Sequence, residues 1–242
     1  LVLADSIISI GRDALGGNAP NLKSLHIPRS VTTIEAGGNP SFVDIYYDGT
    51  LEEWLNITVN RWPADKHMFR QYNLYLEGEL LTEATLPKGV LSNTLQGCVS
   101  LQVVHAEDGV SEIPKYMFHE CRNVRIVELS DTVESFGENA FYGIRIENFT
   151  VPKAMTKVDG IYADKVVAHK NVTSLNYSGR NGLYLEDVNL LFAWEGVTSA
   201  KSIYVNGELL TDLVVPNTVS SFPSNFLREY KPLKSITFTA QN

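Results

Sequence analysis

Residues able to do chemistry are few and scattered along the chain. The five histidines, His26, His67, His105, His119 and His169, show neither an H-x-x-x-H step nor a pairing with cysteine, so no metal site is expected. Cys98 and Cys121 occupy positions i and i+23, and each follows a large apolar residue by three, Leu95 or Phe118. Packing as small buried hydrophobes accounts for both and favours free thiols. A disulfide is sterically open too, since Cα atoms stacked in adjacent repeats would lie about 5 Å apart. Paired acids such as Glu52-Glu53 and Glu186-Asp187 would point to opposite sides of an extended stretch and make no acid–base dyad. Neither a G-x-S-x-G elbow nor a Gly-rich phosphate loop before a helix occurs. The expectation is therefore a non-enzyme without cofactor, for which a carbohydrate-active enzyme is the least favoured alternative. The N-x-S/T sequons at Asn56, Asn148, Asn171 and Asn176 matter only in a host that glycosylates its exports.

The elements that carry these residues follow a repeat. The spacing L-x-x-L-x-L recurs at Leu22-Leu25-Ile27, Leu101-Val104-Ala106, Val124-Val127-Leu129, Ile146-Phe149-Val151 and Leu233-Ile236-Phe238. One large apolar residue precedes each: Leu15, Leu95, Phe118, Phe141 and Phe226. Consecutive strand starts at Leu101, Val124 and Ile146 are offset by 23 and then 22, the period of leucine-rich repeats. One such unit cannot bury its own apolar side, whereas stacked units share a continuous core. Leu25, Ile27, Val104, Val127, Leu129, Phe149, Val151, Ile236 and Phe238 are the expected members of that core.

These residues resemble a known family. Val127 to Gly143 (VELSDTVESFGENAFYG), Ser24 to Ile34 and Tyr116 to Val124 are similar to the BspA-type leucine-rich-repeat proteins, whose consensus runs roughly L-x-x-I-x-I-P-x-S-V-x-x-I-G-x-x-A-F-x-x-C. A second family signature, Y-Y-x-G-T-x-x-E-W, stands at Tyr46 to Trp54. The stretch from Ala163 to Asn181 fits the consensus loosely. The fold expected is an α/β, right-handed leucine-rich-repeat solenoid, strand-rich with few helices, with a parallel sheet along one face and about ten coils over a single domain, 1–242. The resemblance implies a secreted or cell-surface bacterial protein, or one from a mucosal protist, that adheres to host matrix proteins, other cells or glycans.

Two β-hairpins are expected to interrupt the coils. Residues 74–90 and 203–219 align without a gap at an offset of 129, sharing Tyr, the run GELLT, Pro and the final Val. Glu77-Gly78 and Asn206-Gly207 lie between apolar runs there, the signal for a tight turn with positive φ at both central residues.

Composition narrows the partners. Twenty Lys and Arg against twenty-eight Asp and Glu give a net charge of −8, and no basic run offers a phosphate-neutralising face, so nucleic acid is not expected. No apolar stretch reaches the ~20 residues of a membrane span, so no membrane insertion is expected in this fragment. The chain begins Leu1-Val2-Leu3-Ala4, with neither Met nor the tiers of a signal peptide, which reads as a mature or trimmed fragment. A host or neighbouring-cell protein or glycan remains, and the alternative is a structural spacer that holds another domain away from the surface. Candidate contacts come from two places. Strand positions left over by the inward spacing supply His26, His105, Ile126 and Glu128, and the aromatic excursion 44–73, which breaks the period, supplies Trp62 and Tyr72. Within that excursion Tyr46 and Trp54 are expected to pack into the core.

Overall fold

The computed structural model describes residues 1–14, 21–36, 42–61, 71–90, 93–177, 182–193, 200–222, 226–228 and 230–239. The chain opens with β1 (Ser9–Ile10), β2 (Ser24–Ile27), β3 (Thr33–Ala36) and β4 (Asp44–Tyr47), turns through α1 (Leu51–Leu55), and continues as β5 (Thr58–Arg61) and β6 (Asn73–Leu76). A hairpin joins β6 to β7 (Glu79–Leu80), followed by β8 (Glu83–Leu86), β9 (Val103–Ala106), β10 (Glu112–Ile113), β11 (Ile126–Leu129), β12 (Ser135–Phe136) and β13 (Ile146–Thr150). Then come β14 (Lys157–Ile161), β15 (Ala163–Ala168), β16 (Ser174–Tyr177), β17 (Gly182–Leu185) and the short α2 (Leu190–Ala193). A second hairpin, β18 (Ile203–Val205) with β19 (Glu208–Leu209), leads into β20 (Asp212–Val215) and β21 (Ser235–Phe238).

Three sheets make the front side: β2-β4-β6-β7, then β8-β9-β11-β13-β15-β17-β18-β19, then β20-β21. All their pairs are parallel except the two hairpins. A rear side carries shorter parallel ribbons, β1-β3-β5, β10-β12 and β14-β16. Turns close each coil, and backbone bonds stack those turns, as in Phe118 N donating to Ala140 O at 2.9 Å. The solenoid is strand-rich with very few helical residues, as the repeat predicts.

The period, however, is not uniform. Between paired front strands the offset is 20 from Ser24 to Asp44, 29 from Asp44 to Asn73, 20 from Glu83 to Val103, 23 from Val103 to Ile126 and 22 from Ile126 to Asn148. It is then 17 from Asn148 to Lys165, 17 from Lys165 to Gly182, 20 from Leu183 to Ile203 and 23 from Asp212 to Ser235. The described residues make about nine turns, close to the ten that a constant period implies. The stretch from Ala163 to Asn181 fits the consensus poorly because its coils are the shortest in the stack.

One core runs through the coils, from Ile10 to Tyr230. Leu25, Ile27, Val104, Val127, Phe149 and Val151 are buried in it as expected, and Leu129 is half-buried against it. Ile236 and Phe238 are not: they stand 50% and 64% exposed. Among the described residues their strand, β21, pairs with β20 alone, which leaves these side chains uncovered on its other edge. Cys98 and Cys121 are buried free thiols. Burial pushes both thiols up, Cys121 well above its ordinary value, which leaves little thiolate to react.

Both hairpins form. Glu77 and Gly78 have φ of 49° and 88°, and Asn206 and Gly207 have 51° and 85°, the paired left-handed backbone that matches strand twist. The Y-Y-x-G-T-x-x-E-W signature also has a physical account. Thr50 caps α1 and forms a capping box with Glu53, whose carboxyl also pairs with Arg29 from the previous coil. The backbone bond from Thr50, then the Arg29 guanidinium, hold that carboxyl below the usual range. Tyr47 and Trp54 point inward with ring centroids 5.2 Å apart. Tyr46 therefore faces out, contrary to expectation, because adjacent strand residues take opposite faces.

Coils approach closely at Gly137. A Cβ there would lie 2.4 Å from the backbone N and 2.7 Å from the Cα of Lys115, one coil earlier. Gly137→Ala is expected to cost about 1–3 kcal/mol by overpacking, seen as a lower denaturant midpoint with an unchanged m-value.

Candidate functional site

The front sheet presents its outward side chains in register across the stack. Parallel pairing places His26 opposite Tyr46 and Tyr46 opposite Tyr75. Their rings stack with centroids 4.4 Å apart at each step, and Leu80 of the hairpin lies across from Tyr75. A second strip repeats this arrangement further along. Tyr184 stacks on Tyr204 at 4.4 Å, Leu209 lies across from Tyr204, and Lys165 Nζ stands 4.0 Å from the Tyr184 ring centroid. Tyr204 and Leu209 are the counterparts of Tyr75 and Leu80 in the second copy of the duplication, and the two leucines are exposed alike, at 42% and 43%. In each strip partial desolvation, followed by nearby groups, pushes a phenol up: Asp44 and Tyr46 act on Tyr75, and Tyr204 acts on Tyr184.

Between the strips the face is polar and acidic. His105 on β9 sets Nε2 3.0 Å from Glu83 Oε1 on β8 and Nδ1 3.2 Å from Glu128 Oε2 on β11. The His105 ring thus lies within hydrogen-bond reach of a carboxylate on each side and links three neighbouring strands. Ile126 stands beside it, 43% exposed. Two shallow grooves follow, of about 390 and 370 Å³, the first along Ile126, Glu128 and Thr150 and the second along Lys165, Gly182 and Tyr204. Asn148 and Glu147 line both. Among the described residues no group of three His, Cys, Asp or Glu could hold a metal ion.

Of the residues singled out in sequence, His26, His105, Ile126 and Glu128 share this face. Tyr72 does not: it is fully buried, and its hydroxyl donates to Thr94 O at 2.7 Å. Residue 72 precedes β6, where an isolated bridge to Cys98 fastens it to the next coil, so its aromatic body serves the interior. Trp62 lies outside the described residues. Sequence reasoning missed Tyr46, Tyr75, Tyr184 and Tyr204 as surface residues. The signal available was a tyrosine at an outward position in each copy of the duplication.

Residues 81–164 match the model of the BspA type leucine rich repeat region (6 copies), and the same residues build coils of β8, β9, β11 and β13. They are BspA-type leucine-rich repeats. No curated protein matches the chain. A solved structure of a leucine rich cell surface protein from Faecalibacterium prausnitzii A2-165 aligns with 100% of this chain and 88% of that one, at 14% identity and a TM-score of 0.35. Within the BspA-type repeats lie Glu83, His105, Ile126 and Glu128. Both tyrosine strips fall outside them, one on each side.

Proposed function

We propose that the chain is a secreted or cell-surface binding module that adheres to a host or neighbouring-cell protein or glycan through the outward face of its front sheet. The observation that carries this reading is the register of that face: half-exposed rings, carboxylates and single apolar residues line up across successive strands. A long platform of this kind suits a macromolecule better than a small substrate, which needs a concave, enclosed site. Several acidic groups on it pair with side chains of neighbouring coils, as Glu83 and Glu128 do with His105 and Asp164 does with Arg145. Such groups hold the sheet together and do not converge on a reacting atom. No described helix is long and apolar enough to cross a membrane. The BspA-type repeats support the surface location.

The test is an array of matrix proteins and glycans probed with the purified chain. A retained ligand whose signal falls at least tenfold on His105→Ala would support the reading. A ligand indifferent to every outward substitution, or turnover of any glycan or peptide lost on changing one carboxylate, would sink it.

A further inference from the structure

The two strips are copies of one device. Each sets a stacked tyrosine pair beside a tight hairpin whose exposed leucine extends the strip, and each is followed by an outward carboxylate, Glu83 in one and Asp212 in the other. Neither leucine is needed inside, since the inward positions of both hairpins are taken by Leu74 and Ile203, which are fully buried. An exposed apolar residue kept at the same place in both copies, next to stacked rings, is the composition of an interface anchor. β6 and β18 belong to two successive front sheets; counting β7 and the unpaired step to β8, eight strand positions separate them, so Tyr75 and Tyr204 lie roughly 38 Å apart at ~4.8 Å per strand.

Charge selects the occupant. The outward positions of the front strands carry the carboxylates of Asp44, Glu83, Glu128 and Asp212 against the single ammonium of Lys165, in a chain of net charge −8. Carboxylates between the two aromatic strips (Glu83 and Glu128) and at their ends (Asp44 and Asp212) complement cationic side chains, whose flat or aliphatic stems pack on tyrosine rings. We propose that this face grips one extended, lysine- and arginine-rich polypeptide segment at two points, the Tyr46–Tyr75–Leu80 strip and the Tyr184–Tyr204–Leu209 strip. The proposal deepens the binding reading above and rests on it. Two-point attachment makes affinity depend on whether one segment can span both strips, because the second contact is then intramolecular.

The experiment compares (Lys-Thr)4, which extends to roughly 26 Å, with (Lys-Thr)8, which extends to roughly 53 Å, by calorimetry on the intact chain at low salt. The longer peptide is expected to bind at least tenfold tighter, and Tyr75→Ser or Tyr204→Ser is each expected to erase that gain. Tyr142→Ser, at a tyrosine 57% exposed on another side of the coil, is expected to leave it intact. Thermal melting of each variant checks that the fold persists. A length gain that survives both strip substitutions overturns the two-point grip. Equal binding of (Glu-Thr)8, or no binding of either lysine peptide, overturns the cationic partner. If the array then yields a neutral ligand that is weakened by Tyr75→Ser, the binding-module reading stands while this proposal falls. If the array yields nothing, both fall.

Discussion

Truncating Phe149 to Ala should lower stability by about 3–5 kcal/mol, the usual cost of deleting a buried phenylalanine. Phe149 is fully buried in the middle of the front sheet, opposite Val166 of the next coil, with Phe136 from the rear ribbon 6.0 Å away edge-on. It thus bridges front and rear of its own coil and touches a second one. A hole there has rigid walls, because both neighbouring strands are held by parallel hydrogen bonds that limit collapse. Equilibrium denaturation checks it: a loss near ~1 kcal/mol would mean that the coils close over the gap.

Trp54→Ala should cost a similar ~3–5 kcal/mol, for a different reason. The indole is fully buried against Tyr47, and its Nε1 donates to Thr94 O at 3.3 Å. Tyr72 donates to the same carbonyl, so two aromatic residues fix the longest coil, the step from Asp44 to Asn73, onto the one that follows. Loss of the indole removes apolar burial and one of these bonds together. Trp54→Phe separates the two, since it keeps much of the volume and should recover all but the hydrogen-bond share, about 1 kcal/mol. A Phe variant as unstable as the Ala variant would show that the bond, not the packing, dominates.

The direction of side chains within a coil was legible in sequence, and their neighbours were not. L-x-x-L-x-L places Val104, Val127 and Phe149 inward because alternation is a property of the strand itself. Whether an inward residue ends up buried depends on the next coil, which is why Ile236 and Phe238 carry the right spacing and the wrong exposure. Tyr46 and Tyr47 show the limit at its sharpest: they are adjacent and chemically identical, and a shift of one residue exchanges core for surface. The hairpins were readable because their turns need backbone that only a few residues adopt. The ladders His26–Tyr46–Tyr75 and Tyr184–Tyr204 were not, because their members meet at offsets of 20 or 29, and no single template of 23 brings them together.

The unequal coil lengths also set how the molecule yields to force. Strand-to-strand hydrogen bonds point along the solenoid axis, so a pull between the two ends loads one strand pair at a time and peels coils from an end, as a zip opens. Each coil that comes away releases its own length of chain. At ~3.4 Å per residue, and after the ~5 Å strand spacing is subtracted, the shortest coils lengthen the tether by about 53 Å each and the longest by about 94 Å. Under tension the chain is a graded extensible strap, whose increments are written in the register of its front sheet.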